Sequence, residues 1–175
     1  MCDPLSLRNT FYSLRRVKYY FESLFDTENS FDMHDIHFKK METMADRECC
    51  YSIIHELRTH LTFDDFIYLT NEAKLHDGYT LIGCFENDEC LGVMGYRILF
   101  DLVHGKHFYI DDLVVTEKSR SKGNGAKILA YSEVLAKENG CKNLRLCTGV
   151  DNSAAGKFYE KNKWDLKAIV YKKKL

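Results

Sequence analysis

The stretch Arg120-Ser121-Lys122-Gly123-Asn124-Gly125-Ala126 constrains this chain more than any other. It lies between a strand-like run over residues 108–115, rich in β-branched and aromatic side chains, and a helix-like run over residues 126–138. In the second run Ile128, Leu129, Tyr131, Ser132, Leu135 and Ala136 fall along one side at helical spacing. A glycine-rich turn feeding a helix N-terminus leaves several main-chain N–H groups without intrahelical partners, aimed at one spot. The helix dipole adds partial positive charge there, so the expected occupant is a phosphate or diphosphate.

Two common phosphate turns do not fit the spacing. A dinucleotide fingerprint needs a third small residue where Ile128 stands, and an acidic ribose ligand about twenty residues on, where the chain has Arg145. A Walker turn needs a Gly-Lys-Ser/Thr triplet, which Ala126-Lys127-Ile128 does not supply. What fits is Arg-x-x-Gly-x-Gly after a strand, joined to a second signal, Asn152-Ser153-Ala154-Ala155-Gly156-Lys157-Phe158-Tyr159, with Trp164 shortly after.

Together the two motifs resemble the GNAT superfamily of acyl-CoA-dependent N-acyltransferases, in which Arg/Gln-x-x-Gly-x-Gly/Ala precedes Asn-x-x-Ala-x-x-Phe-Tyr. The resemblance is clearest over residues 109–164, looser back to about residue 38, and leaves residues 1–33 outside. One departure stands out: the position before the final aromatic, often glycine in the family, is Lys163. The implied fold class is α/β (α+β), a mixed, mostly antiparallel central sheet flanked by helices. The domain would occupy residues 34–175, with residues 1–33 as a helical extension.

The pattern along the chain agrees with that order. Asp3-Pro4 reads as a helix start, followed by an amphipathic stripe of Leu7, Phe11, Leu14, Val17, Phe21, Leu24 and Phe25. This stripe would pack on the parent domain or form a subunit interface, so a homodimer is an open expectation. Residues 37–41 read as a first strand. Thr43-x-x-Asp46 and Thr62-x-x-Asp65 resemble capping boxes with aspartate in place of glutamate, opening helices that carry Cys50, Ile53, Ile54 and Leu57, then Phe66, Ile67, Leu69 and Leu75. Residues 81–85 and 91–100 flank a polar hairpin turn, and His104-Gly105-Lys106 leads into the strand bearing Asp111. Asn139-Gly140 ends the next helix; Leu144 and Leu146 alternate in a strand; a helix follows from Asn152, and residues 166–171 are expected to close the sheet.

Composition excludes several function classes. With 25 basic and 26 acidic residues, the charge balance supports neither a nucleic-acid nor a membrane partner. There is no apolar run of membrane-spanning length and no signal-peptide pattern, so a cytoplasmic location is expected. The seven cysteines are odd in number and form no Cys-x-x-Cys, which points to free thiols, with Cys84, Cys90 and Cys147 in strand cores. His34-x-x-His37 and His104-x-x-His107 lack partners at metal-site spacing, and no metal is expected.

Acyl transfer from a thioester to an amine needs a held donor, a deprotonated acceptor and a stabilised leaving thiolate. The resemblance implies acetyl-CoA as donor and an amine as acceptor. It places Arg120, Ser121, Lys122, Gly123, Asn124, Gly125 and Ala126 around the diphosphate, the backbone of Leu113, Val114 and Val115 along the pantetheine arm, and Asn152 and Phe158 beside it. Tyr159 takes the general-acid role, since a phenol with a pKa near ~10 stays protonated at neutral pH. Asp111 or Asp112 would accept the amine's proton. Neighbouring strand residues face opposite sides unless a bulge intervenes, so only one should face the reaction, and Asp111 is the first choice because it shares parity with Leu113 and Val115. His55, Glu56, Arg58, His60, Tyr96 and Arg97 are candidates for lining the acceptor pocket. No cysteine is placed as an acyl-enzyme nucleophile, so direct attack in a ternary complex is expected. A non-catalytic acyl-CoA sensor or partner-binding module on the same fold, and a longer acyl donor, remain as alternatives; the acceptor is left open among small amines, lysine side chains and protein N-termini.

Overall fold

The computed structural model describes residues 36–175, so the expected N-terminal helix and the His34 pair lie outside the described residues. Strand β1 (Ile36–Lys40) leads into helices α1 (Met44–Leu57) and α2 (Phe63–Asp77). Both helices start at the threonines that the capping pattern marks. Thr43 and Thr62 each accept the N3 amide, while Asp46 and Asp65 return a bond to the cap amide. At the first cap Lys39 Nζ approaches Asp46 at 2.6 Å, and this hydrogen bond, with those from the cap amides, holds the Asp46 carboxyl well below the usual carboxylate range.

Strands β2 (Thr80–Glu86), β3 (Glu89–Asp101) and β4 (Gly105–Val115) then meander antiparallel. The β2–β3 turn is the polar segment expected, with Asn87 in the left-handed region that tight hairpins require. A short 3₁₀ turn (Glu117–Ser119) leads to helix α3 (Asn124–Glu138), strand β5 (Asn143–Leu146) and helix α4 (Ser153–Lys161). The five strands lie in chain order, and β5 runs parallel to β4.

The sheet carries a core on each face. Helices α1 and α2 cover one with Cys50, Ile53, Ile54 and Phe66, packed on Leu81, Phe85, Val93 and Val114. Helix α3 covers the other with Ile128, Leu129 and Ala136, packed on Met94, Tyr96, Phe108 and Ile110; Phe158, Tyr159 and Trp164 join this side. At roughly 25 cal/mol per Å² of apolar area, such two-sided burial is the main driving force for the fold.

Four expectations need correction. Residues 166–171 form no strand: Leu166, Ile169, Val170 and Tyr171 are exposed, and the described sheet ends at β5. An apolar run makes a strand only when a partner edge and a covered face are available, and β5 offers an edge of four residues. Leu57, Leu69 and Leu75 are exposed rather than core-facing: Leu69 and Leu75 lie off the stripe of Phe63, Phe66, Ile67 and Ala73 that α2 turns inward, and Leu57, though at core spacing from Ile53 and Ile54, falls in the last turn of α1. Cys147 is exposed just past the end of β5, whereas Cys84 is buried and Cys90 half-buried; the six described cysteines are unpaired. Finally, a bulge displaces the aspartates, as described below.

Candidate active site

Strand β5 pairs with β4 only from His107↔Asn143 to Ile110↔Leu146. Beyond Ile110, β4 continues to Val115 with no strand among the described residues paired on that side. Thr116 donates its N–H to Leu91 O at 2.9 Å, on the β3 side. Alternation therefore turns the main-chain groups of Leu113 and Val115 the other way, into the gap. Val114 is turned from the gap twice over: its main chain belongs to the β3 ladder and its side chain lies in the α1–α2 core.

The glycine turn opens at the end of this gap. Gly123 is the N-cap of α3 with φ 81°, a conformation that costs an L-residue about 1–2 kcal/mol, and Ser121 also has positive φ. Among the described residues, no main-chain N–H from Ser121 to Ala126 has a hydrogen-bond partner. The buried Asn124 side chain braces the turn by donating to Ser119 O at 3.4 Å. A Cβ on Gly125 would lie 3.0 Å from the Phe158 ring and 3.7 Å from Val115, so glycine here lets Phe158 pack against the turn. Arg120 is already engaged, with Nε donating to Val115 O at 3.2 Å and Nη2 to Glu56 at 2.8 Å. Lys122 extends into solvent.

Helix α4 brings the second motif alongside. Asn152 is its N-cap and uses its side-chain oxygen to accept from Ala155 N at 3.1 Å, leaving its NH₂ donors without a partner among the described residues. Tyr159 is half-buried, and burial raises its phenol above the ordinary value. Its hydroxyl has no hydrogen-bond partner among the described residues. Lys163 adopts φ 64°, which explains why glycine suits that position.

The aspartates do not alternate. Gly95 pairs with Asp112 and Tyr96 with Ile110, which leaves Asp111 as the extra residue of a β-bulge. The bulge resets parity, so Leu113 and Val115 share the α3 face with Ile110 rather than with Asp111. Both carboxylates are held from the α1–α2 side. Asp111 takes a bidentate pair from Arg97 at 2.8 and 2.7 Å, and Arg97 also nears Asp77 at 3.7 Å. Asp112 accepts from Arg58 Nε and from the Tyr79 hydroxyl, each at 2.8 Å. Arg58 further donates to Asp111 O at 3.2 Å, tying it to the bulge backbone.

Tyr79 carried no sequence signal. Burial, reinforced by the charge of Asp112, pushes its phenol well above the ordinary value, so it serves as a fixed donor. A Cβ on Gly95 would lie 1.9 Å from the Tyr79 oxygen, so glycine opposite Asp112 is what admits the ring. Of the candidate acceptor-pocket residues, Arg58 and Arg97 reach the bulge. Glu56 turns instead to the segment after β4, and His55 Nδ1 contacts Leu61 O at 3.1 Å. Tyr96 is buried on the opposite face against Phe108. Among the described residues no cluster of His, Cys, Asp and Glu could hold a metal, and no helix is long and apolar enough to cross a membrane.

A mixed sheet that parts between two parallel strands, with a glycine turn capping a helix at the parting, defines an acyltransferase fold. Residues 40–164 match the model of the Acetyltransferase (GNAT) family, and the chain belongs to that family. It is 27% identical over 139 residues to the Bacillus subtilis (strain 168) protein described as the uncharacterized N-acetyltransferase YhdJ, covering 79% of this chain and 98% of the relative. Among solved structures, a transcriptional regulator from Bacillus halodurans C-125 superposes with TM-score 0.70 at 19% identity, covering 80% of this chain and 99% of that one. The aminoglycoside N-acetyltransferase AAC(6')-Iy, bound to a CoA bisubstrate analogue, superposes with TM-score 0.68 at 15% identity over 80% of this chain and 99% of its own. At these identities the structural likeness speaks for the fold alone.

Proposed function

We propose that this protein transfers the acetyl group of acetyl-CoA to a primary amine by direct attack in a ternary complex. The observation that carries this reading is the row of partnerless amides at Ser121–Ala126, placed at the mouth of the β4–β5 gap. Those amides suit a diphosphate, and Arg120 and Lys122 add charge. The main-chain groups of Leu113 and Val115 suit the amides of a pantetheine arm, as an extra strand would. The unspent NH₂ of Asn152 offers a further donor, and Phe158 an apolar wall. The donor supplies an activated acetyl thioester; this chain supplies its orientation.

Tyr159 is the residue that would meet the leaving thiolate. A thiol near pKa ~8.5 is a stronger acid than a phenol near ~10, so complete proton transfer from Tyr159 is uphill. Its contribution is therefore a strong hydrogen bond to the sulfur as charge develops. An alkylammonium near pKa ~10.4 is deprotonated in only about one molecule per thousand at neutral pH, so the acceptor needs a base. Asp111 is the better assignment: among the described residues its one side-chain partner below 3 Å is Arg97, which has Asp77 as an alternative, whereas Asp112 anchors both Arg58 and the buried Tyr79.

A second reading has one observation in its favour. Both aspartates have their oxygens occupied, as in an acyl-CoA sensor that binds without turnover. Calorimetry with acetyl-CoA and CoA, paired with thiol release over a panel of amines, separates the two. Micromolar binding with amine-dependent thiol release supports the enzyme; binding with release from no amine supports the sensor; no binding removes both.

A further inference from the structure

The turn that becomes the glycine cradle is tethered from across the sheet by one carboxylate. Glu56 sits in the last turn of α1, on the face opposite α3. Its oxygens accept from Thr116 Oγ1 at 3.0 Å, from the Glu117 amide at 3.0 and 3.3 Å, and from Arg120 Nη2 at 2.8 Å. Among the described residues it is the one α1 side chain that hydrogen-bonds this segment. A glutamate near a helix C-terminus opposes the helix dipole, so its position is explained by what it holds rather than by the helix. Two residues on, Arg58 caps the same helix and grips Asp112 and the Asp111 carbonyl. One helix end thus holds both the bulge and the approach to the cradle.

We propose that Glu56 is a positioning residue for donor binding, fixing the 116–120 segment so that the Ser121–Ala126 amides converge on the diphosphate. This rests on the acetyl-CoA reading above. The segment's own hydrogen bonds, Ser119 N to Thr116 O at 2.8 Å and Arg120 N to Glu117 O at 3.4 Å, close the turn but do not orient it against the rest of the molecule. Thr116 N ties the start of the segment to Leu91 O at 2.9 Å and Arg120 Nε reaches Val115 O at 3.2 Å; Glu56 adds the tether to the opposite core, because it is anchored in α1. It also holds Arg120 beside the gap in an exposed pair, from which the guanidinium can swing to a phosphate without crossing the sheet.

The test compares Glu56→Ala and Glu56→Gln with wild type against two donors: acetyl-CoA, and an acetyl-pantetheine thioester lacking the diphosphate. Glu56→Ala should weaken acetyl-CoA binding by about tenfold while leaving kcat at saturation within about twofold. Glu56→Gln, which keeps an acceptor for the Glu117 amide but loses the charge facing Arg120, should weaken it by about threefold. The pantetheine thioester should bind both variants as it binds wild type, because it makes no use of the cradle. Equal loss for both donors, or tighter acetyl-CoA binding through a freed Arg120, would overturn the role of Glu56 while leaving the acetyl-CoA reading intact. Failure of wild type itself to bind acetyl-CoA would overturn the reading and the role together. Should Glu56→Ala not fold, the Gln variant alone carries the comparison, since an unchanged dissociation constant for both donors excludes the positioning role.

Discussion

The glycine turn and the β4 bulge lie at the two ends of one short strand segment, and they treat polar groups in opposite ways. At the turn the main-chain donors from Ser121 to Ala126 are left without partners. At the bulge the carboxylates of Asp111 and Asp112 are fully engaged by Arg97, Arg58 and Tyr79. The first arrangement is ready to bind an anion with no rearrangement. The second is stable as it stands and must exchange partners before a carboxylate can take up a proton. Binding and chemistry should therefore respond to different substitutions.

The largest expected effect lies at the bulge. Asp111→Asn should lower kcat by about 10²- to 10⁴-fold, the usual span for losing a general base, with acetyl-CoA affinity nearly unchanged in calorimetry. If Asp112→Asn instead gave that kcat loss with no loss of stability, the assignment of the two aspartates would be reversed. Next comes Tyr159→Phe, which should lower kcat by about ten- to a thousandfold with donor binding intact; unchanged turnover would take Tyr159 out of the mechanism. At the turn the split reverses. Gly125→Ala sets a Cβ against the Phe158 ring and should raise the dissociation constant for acetyl-CoA by roughly tenfold, about 1.4 kcal/mol, with kcat at saturation largely kept.

A carboxylate with full partners and no chemistry supplies the control. Asp46→Asn should cost about 1 kcal/mol of stability, typical of a damaged cap, and leave kinetics alone. Asp46 is depressed in the folded state, so its contribution is complete above the unfolded value of about 4 and fades as pH falls below it. The melting-temperature gap between wild type and Asp46→Asn should accordingly be wide at pH 7 and narrow in acid. A gap that stayed constant would show that charge is not its source. The smallest effect is expected at Lys163→Gly. Relief of a left-handed backbone, about 1–2 kcal/mol, exceeds the added chain entropy of glycine, about 0.5–1 kcal/mol, so the variant should gain roughly 0.5 kcal/mol in denaturant unfolding.

The half of the candidate site built on local chemistry is legible in the sequence. Gly123 takes positive φ, Thr43 and Thr62 cap their helices, Asn152 caps α4, and Phe158 and Tyr159 lie on that helix. The bulge was not legible, since nothing near Asp111 marks an unpaired residue; it shows only in the register against Gly95 and Tyr96. Tyr79 was hidden for the same reason, and so were the partners of Glu56, which the sequence offers only as an acceptor-pocket candidate. Their partners lie 33 and 60 or more residues away along the chain.

Residues 166–171 show the limit from the other side. Their apolar run reads as a closing strand, yet Ile169, Val170 and Tyr171 stand exposed and outside the sheet. The sequence by itself determined what each short segment demands of its own backbone: a cap, a left-handed residue, a row of spare amides. Tertiary structure decided which carboxylate meets which arginine, which face Asp111 takes, and which strand finds a neighbour. Those outcomes depend on groups that become adjacent only when the sheet assembles, and no local rule encodes them.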